Sequence, residues 1–324
     1  MSIISVGLRQ TQSKEQEKEN QTAFLRSQLI LFQSRKKWGV LYSMATVAGL
    51  FCVAGIIGAF GQADAATIVR QVVPLPLVSL LIATGMYVLN DLIDADLDKA
   101  NGKKRPIPSG QVSKNQAWSF IIWTNGLAVI LSIVTLNTSS VILVAPMLAI
   151  GLLYSAPKMA LADRFVIKTL SIALFYMLCA LLGITSIVGF DLAVSNPIVP
   201  IHAMFMFGTM IFVSSVFNDL GDVQGDKAAG RRTIPIVIGR INTVKMSMLL
   251  VSCMAATSWA IYAAGEIGLI TTLLVSSFAA LVAVRMKKML NGLDDMEFMR
   301  KQHKKLFPLH LVLQTSLIIG TVLL

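Results

Sequence analysis

The sequence predicts an all-α integral membrane protein with nine transmembrane helices, and three observations carry that prediction. Apolar residues occupy 55% of the 324 positions and charged residues 14%, where a soluble domain carries about 25% charge. The mean hydropathy is +0.71. The apolar residues are gathered into long runs near the roughly 20 residues that a helix needs to cross a bilayer. Basic residues, finally, fall almost wholly in alternate segments between those runs.

Residues 1–22 are polar, rich in Gln, Glu and Lys, and contain no apolar h-region; a cleavable signal peptide is excluded and a disordered start is expected. In residues 23–38, Phe24, Leu25, Leu29 and Phe32 mix with Arg26, Arg35, Lys36 and Lys37, the pattern of a helix lying on a membrane surface. The chain thus divides into an N-terminal arm with an interfacial helix, 1–38, and a nine-helix domain, 39–324. The spans are read at 39–60, 73–90, 116–136, 139–155, 166–188, 198–217, 245–263, 267–284 and 306–324. Short turns at 137–138, 189–197 and 264–266 alternate with long, charged loops at 91–115 and 218–244. Function usually sits on loops of the second kind. The segment 285–305, with four Met among basic residues, reads as a further interfacial helix with a structural role.

The net charge of +11 raises nucleic acid as a partner, but the placement of the charge points to the bilayer instead. With the N-terminus in the cytoplasm, the inner segments and their margins hold nearly all Lys and Arg, and the outer side holds only Arg70. The C-terminus then lies on the opposite side of a multi-pass cell-membrane protein. Cys52, Cys179 and Cys253 lie in apolar runs without metal-site spacing and read as small buried hydrophobes.

One acidic pattern occurs twice, at Asn90-Asp91-x-x-Asp94-x-x-x-Asp98 and Asn218-Asp219-x-x-Asp222-x-x-x-Asp226. On a helix, carboxylates at i, i+3 and i+7 lie within about 60° of one another. Both copies start where a span ends, so those helices are expected to continue out of the lipid with their Asp faces, on the cytoplasmic side. Gly102 and Gly230 each follow the last Asp by four residues, before Arg105-Pro106-Ile107-Pro108 and Arg232-Thr233-Ile234-Pro235. A lone Asp and Lys run at a membrane surface is usually a solvated face; repetition at identical spacing is not explained that way.

Six carboxylates brought together repel unless neutralised, and sets of this kind suit Mg²⁺, a hard cation bound through one or two carboxylates plus substrate phosphates. Two facing clusters can therefore clamp a diphosphate, with Lys103, Lys104, Arg105, Lys158, Arg231 and Arg232 as candidates to complete the grip. An EF-hand at 94–105 fails, because its sixth position is Lys99 and its twelfth Arg105. A cation transporter would need carboxylates near mid-span, and spans 73–90 and 198–217 contain none before their cytoplasmic ends.

The paired Asp motifs, Arg105-Pro106-Ile107-Pro108-Ser109-Gly110, the Tyr154-Ser155-Ala156-Pro157 turn, and Gly225-Asp226-Lys227 with Thr233-Ile234-Pro235 up to Gly239 together resemble the UbiA superfamily of intramembrane prenyltransferases. The resemblance runs from about residue 39 to the end. It implies helices around a central cavity capped by cytoplasmic loops, a prenyl diphosphate donor, a lipophilic acceptor and Mg²⁺. It further implies that Asp91, Asp94, Asp98, Asp219, Asp222 and Asp226 hold the metal and act catalytically, with Asn90 and Asn218 at the motif starts. Tyr154 and Lys158 correspond to residues near the diphosphate or the allylic cation. Tyr87, Phe175, Tyr176, Phe207 and Phe217 are aromatic candidates to face that cation, weighed against plain helix packing. Before the first span the chain departs from the family's Arg-Pro…Asn pattern, with Arg35-Lys36-Lys37-Trp38 in its place, and no acceptor contact is assigned there.

The loop contexts are similar both to the branch that makes archaeal digeranylgeranylglyceryl phosphate and to chlorophyll synthases. The latter usually lack the middle Asp of the second motif, and Asp222 is present, which favours geranylgeranyl transfer to geranylgeranylglyceryl phosphate. Chlorophyll-type and aromatic, quinone-precursor acceptors stand as alternatives.

Overall fold

The computed structural model describes residues 3–57, 66, 68–100, 104–156, 159, 161–195 and 197–322, and among them every regular element is helical. Helix α1 spans Ile3–Ile57, and a π-helical turn, Ile68–Val72, leads into α2, Pro74–Ile93. After the short α3 (Ala95–Ala100) come α4 (Lys114–Val134) and α5 (Thr138–Ser155). A 3₁₀ turn, Leu161–Asp163, then precedes α6 (Phe165–Ser195) and α7 (Ile198–Ala228). The short α8 (Ile234–Ile238) precedes α9 (Arg240–Ala263) and α10 (Leu269–Met289), and a second 3₁₀ turn, Leu290–Gly292, leads to α11 (Met296–Val322).

By length and composition, seven helical stretches can cross a membrane: Ile68–Ile93, Lys114–Val134, Thr138–Ser155, Phe165–Ser186, Pro200–Ala228, Arg240–Ala263 and Leu269–Gly292. They coincide with the expected second to eighth spans. The expected spans 39–60 and 306–324 lie in α1 and α11, and each runs past the described residues. Many large apolar side chains stand more than half exposed along these helices, among them Ile122, Ile130, Leu152, Ile201 and Leu249. That much apolar surface on a monomer calls for a covering phase, and a multi-pass membrane protein has one in lipid.

Three expectations are corrected. The start is helical from Ile3 rather than disordered; residues 8–38 contain neither Gly nor Pro and are rich in the good helix formers Gln, Glu, Lys, Leu and Arg. The turn at 189–197 is mostly helix, because α6 continues through Leu192 and Ala193 to Ser195. The segment 285–305 is not one helix but the end of α10, a turn containing Asn291 and Gly292, and the start of α11.

Local signals set the helix starts that matter for the bundle. Ser113 and Gln116 form a capping box at α4, with the Gln116 amide donating to Ser113 Oγ at 3.2 Å and the Ser113 amide to Gln116 Oε1 at 3.0 Å. In the bundle, α1 packs on α2, α6 and α11, while α6 also meets α5 and α7, and α7 meets α11. The α1–α6 crossing is set by two glycines facing opposite ways: a Cβ on Gly49 would stand 2.2 Å from the Ala180 carbonyl oxygen, and one on Gly183 would stand 1.9 Å from that of Thr46. Only backbone fits there, the small-residue contact that lets helices approach in lipid. Beside this crossing lie the fully buried rings of Tyr42, Phe175, Tyr176, Phe207 and Phe217.

Candidate active site

The two acidic motifs reach the site by different local routes. Helix α7 carries Asp219, Asp222 and Asp226 without interruption. Helix α2 ends at Ile93 and α3 begins at Ala95, so the expected continuous face is interrupted at Asp94 (φ −84°, ψ 9°). The interruption is slight, since the Asp94 amide still donates to Asn90 O at 2.9 Å and the Asp98 amide to Asp94 O at 2.8 Å.

The ends of α2 and α7 meet at a cavity of about 910 Å³ including its open mouth. Of the residues expected from sequence, Asn90, Asp94, Arg105, Tyr154, Asn218, Asp219, Asp222, Asp226 and Arg231 line it. Asp91 and Asp98 do not line it; each is 2% exposed. Lys104 and Arg232 are exposed and absent from the lining. Lys103 and Lys158 lie outside the described residues.

Every one of the six carboxylates has a basic partner. Arg35 forks onto Asp91, with Nε 2.7 Å from Oδ2, and Arg105 joins Asp91 (2.6 Å) to Asp98. Lys168 Nζ lies 2.5 Å from Asp219 Oδ1, and Arg300 Nη2 lies 2.8 Å from Asp222 Oδ1. Arg231 reaches Asp94 at 3.0 Å and Asp226 at 3.9 Å, so one guanidinium links the first motif to the second. The repulsion that suggested an external cation is thus already relieved by the chain's own Arg35, Arg105, Lys168, Arg231 and Arg300.

A glycine delivers Arg231. Helix α7 closes in a Schellman turn, with the Gly230 amide on Lys227 O (3.1 Å) and the Arg231 amide on Asp226 O (2.9 Å). Gly230 takes φ +71°, a left-handed conformation that costs other L-residues about 1–2 kcal/mol. The chain therefore reverses at once and places Arg231 over the acid that precedes it by five residues.

Sequence reasoning left Arg35 and Trp38 unassigned, included Lys168 only among the many basic residues of the inner side, and gave the 285–305 segment a structural role. The structure sets Arg35, Trp38, Lys168 and His303 in the cavity wall and Arg300 on Asp222. Trp38 stacks between Tyr87 (5.5 Å) and His303 (6.4 Å), with Phe307 edge-on at 5.8 Å. Burial lowers the His303 imidazole to about 4, so the ring is neutral at pH 7. Of the five aromatic candidates, Tyr87 alone lines the cavity; Phe175, Tyr176, Phe207 and Phe217 pack in the core, each at most 1% exposed.

Among the described residues, no group of three His, Cys, Asp or Glu stands ready to hold a metal ion by itself. The donors nevertheless suit a hard cation. Asp219 Oδ2 and Asp226 Oδ2 are buried on cavity-lining side chains and have no hydrogen-bond partner in the chain, and an orphaned buried oxygen is costly unless a ligand meets it.

Comparison with known proteins agrees with this geometry. Residues 39–312 match the UbiA prenyltransferase family. The chain is 30% identical over 187 residues to a digeranylgeranylglyceryl phosphate synthase of Sulfolobus acidocaldarius, covering 57% of this chain and 63% of that protein, slightly under two thirds of its length. It is 30% identical over 216 residues to the synthase of Methanoregula boonei, covering 65% of this chain and 70% of that one. In fold it is similar to a UbiA homologue from Archaeoglobus fulgidus bound to GPP and Mg²⁺, with a TM-score of 0.64, 16% identity, and coverage of 89% of this chain and 99% of that one. The apo UbiA homologue from Aeropyrum pernix K1 gives a TM-score of 0.65 at 18% identity, over 88% and 98% of the two chains. With the match extending over most of its length and both acidic motifs on one cavity, the chain belongs to the UbiA prenyltransferase family.

Proposed function

We propose that this prenyltransferase moves a geranylgeranyl group from its diphosphate to the glycerol hydroxyl of geranylgeranylglyceryl phosphate, with Mg²⁺ as its metal. The observation that carries the reading is the cavity where Arg231 joins Asp94 of the first motif to Asp226 of the second. The curated relatives named for digeranylgeranylglyceryl phosphate synthesis support the acceptor, and the homologue bound to GPP and Mg²⁺ supports donor and metal.

Asp94, Asp219, Asp222 and Asp226 face the cavity and would hold the metal, with Asn90 and Asn218 beside them; Asp91 and Asp98, paired with Arg35 and Arg105 just outside the lining, would complete the set. Bound Mg²⁺ supplies positive charge to the departing diphosphate. Lys168, Arg231 and Arg300 turn from carboxylates to phosphate oxygens as the donor enters, adding charge-assisted hydrogen bonds where negative charge develops. The bond between allylic carbon and diphosphate oxygen breaks with its electron pair leaving on the diphosphate. The acceptor hydroxyl oxygen attacks that carbon, and its proton passes to an oxygen of the released diphosphate. Tyr87, Trp38 and Tyr154 line the cavity wall around the reacting centre.

Around this centre we place nine spans, with α1 and α11 supplying the first and last, and residues 1–38 forming an arm at the membrane surface. Both motifs and the N-terminus face the cytoplasm and the C-terminus faces the other side. The distribution of Lys and Arg supports that sidedness. Incubation of purified protein with labelled geranylgeranyl diphosphate and a panel of acceptors tests the assignment. Product from geranylgeranylglyceryl phosphate is expected; prenylated 4-hydroxybenzoate or naphthoate in its place would overturn it.

A further inference from the structure

Arg231 makes a third ion pair that neither motif accounts for. Its Nε lies 2.8 Å from Oδ1 of Asp163, on the 3₁₀ turn Leu161–Asp163 that precedes α6. Nη2 and Nη1 meanwhile face Asp94 at 3.0 Å and Asp226 at 3.9 Å. Each nitrogen of one guanidinium thus faces a carboxylate from a different segment of the chain. The three carboxylates are not equivalent. Asp94 and Asp226 are 18% and 11% exposed and line the cavity, whereas Asp163 is 50% exposed and does not.

A guanidinium is planar, so a partner on Nε fixes the orientation of the fork formed by both Nη groups. The Schellman turn at Gly230 fixes only the Arg231 backbone. The side chain retains rotamer entropy that a second anchor must remove. Asp94 and Asp226 are unsuited as that anchor, because both stand among the oxygens that a metal-bound diphosphate would engage.

We propose that Asp163 is a positioning residue for diphosphate binding: it holds Arg231 through Nε while the two Nη groups exchange motif carboxylates for phosphate oxygens. This rests on the diphosphate-transfer reading above. Asp163 touches no substrate; it keeps the fork aimed into the cavity in both the free and the loaded site.

The test uses the full chain in detergent, comparing wild type with Asp163→Asn and Asp163→Glu. Calorimetric titration with inorganic pyrophosphate in the presence of Mg²⁺ should show Kd raised roughly fivefold in D163N. KM for geranylgeranyl diphosphate should rise by the same factor, with kcat and the acceptor KM unchanged, and D163E should restore most of the loss. A pyrophosphate Kd that is unchanged or lowered in D163N, or a fall in kcat with both KM values unchanged, would overturn the proposal. Wild-type protein that neither binds pyrophosphate nor turns over the donor would instead overturn the diphosphate reading.

Discussion

Lys168 shows how much a single residue can hold. Its ammonium meets Asp219, a carboxylate 1% exposed, whose other oxygen has no partner in the chain. Removing the cation strands a buried charge, which costs about 3–5 kcal/mol. Lys168→Met should therefore lower the thermal midpoint in detergent sharply, and adding Asp219→Asn should recover part of the loss; a single variant as stable as wild type would contradict the pairing. At this scale the six acids were legible because their spacing repeats in one short stretch of sequence. Arg105 and Arg231, which follow the motifs closely in sequence, were legible too, but the distant partners were not. Lys168 is 51 residues from Asp219 and Arg35 is 56 from Asp91, and nothing in a linear sequence distinguishes these from other basic residues at span ends.

The elements were more legible than their details. Apolar runs predicted the seven membrane-length helices, since a helix satisfies its own backbone in lipid and composition alone selects it. The polar start was misjudged because its propensity for helix outweighs its lack of apolar residues. The aromatic candidates were ambiguous for a related reason: apolar residues cover most of every span, so no single face marks the cavity, and Phe175, Tyr176, Phe207 and Phe217 went to the core. The glycine contact between α1 and α6 is likewise invisible until the two helices are crossed. Gly183→Ala puts a methyl group where the Thr46 carbonyl stands, so the helices must separate. The expected cost is about 1–3 kcal/mol, read as a lower thermal midpoint, with the site weakened because α1 also carries Arg35 and Trp38. Unchanged stability would mean that the helices do not approach so closely.

Across the whole molecule, the bundle gathers two acidic helix ends, a glycine-closed turn and the first turns of α11 around one opening. The chain neutralises its own acids with its own basic residues, and the proposed function makes loading of the site an exchange of partners. The repeated motif makes each half visible in sequence, and Arg231 makes them one unit in space. Diphosphate release from geranylgeranyl diphosphate, measured against Mg²⁺ concentration for wild type, Asp94→Asn, Asp222→Asn and the double variant, tests that unity most directly. Asp94 and Asp222 are partly exposed, so both variants should fold. Each single variant is expected to lose roughly a hundredfold in turnover and the double variant little more, because the two motifs act together, and chelation of Mg²⁺ should abolish release in all. Wild-type turnover in either single variant, or release that persists without divalent metal, would contradict the account.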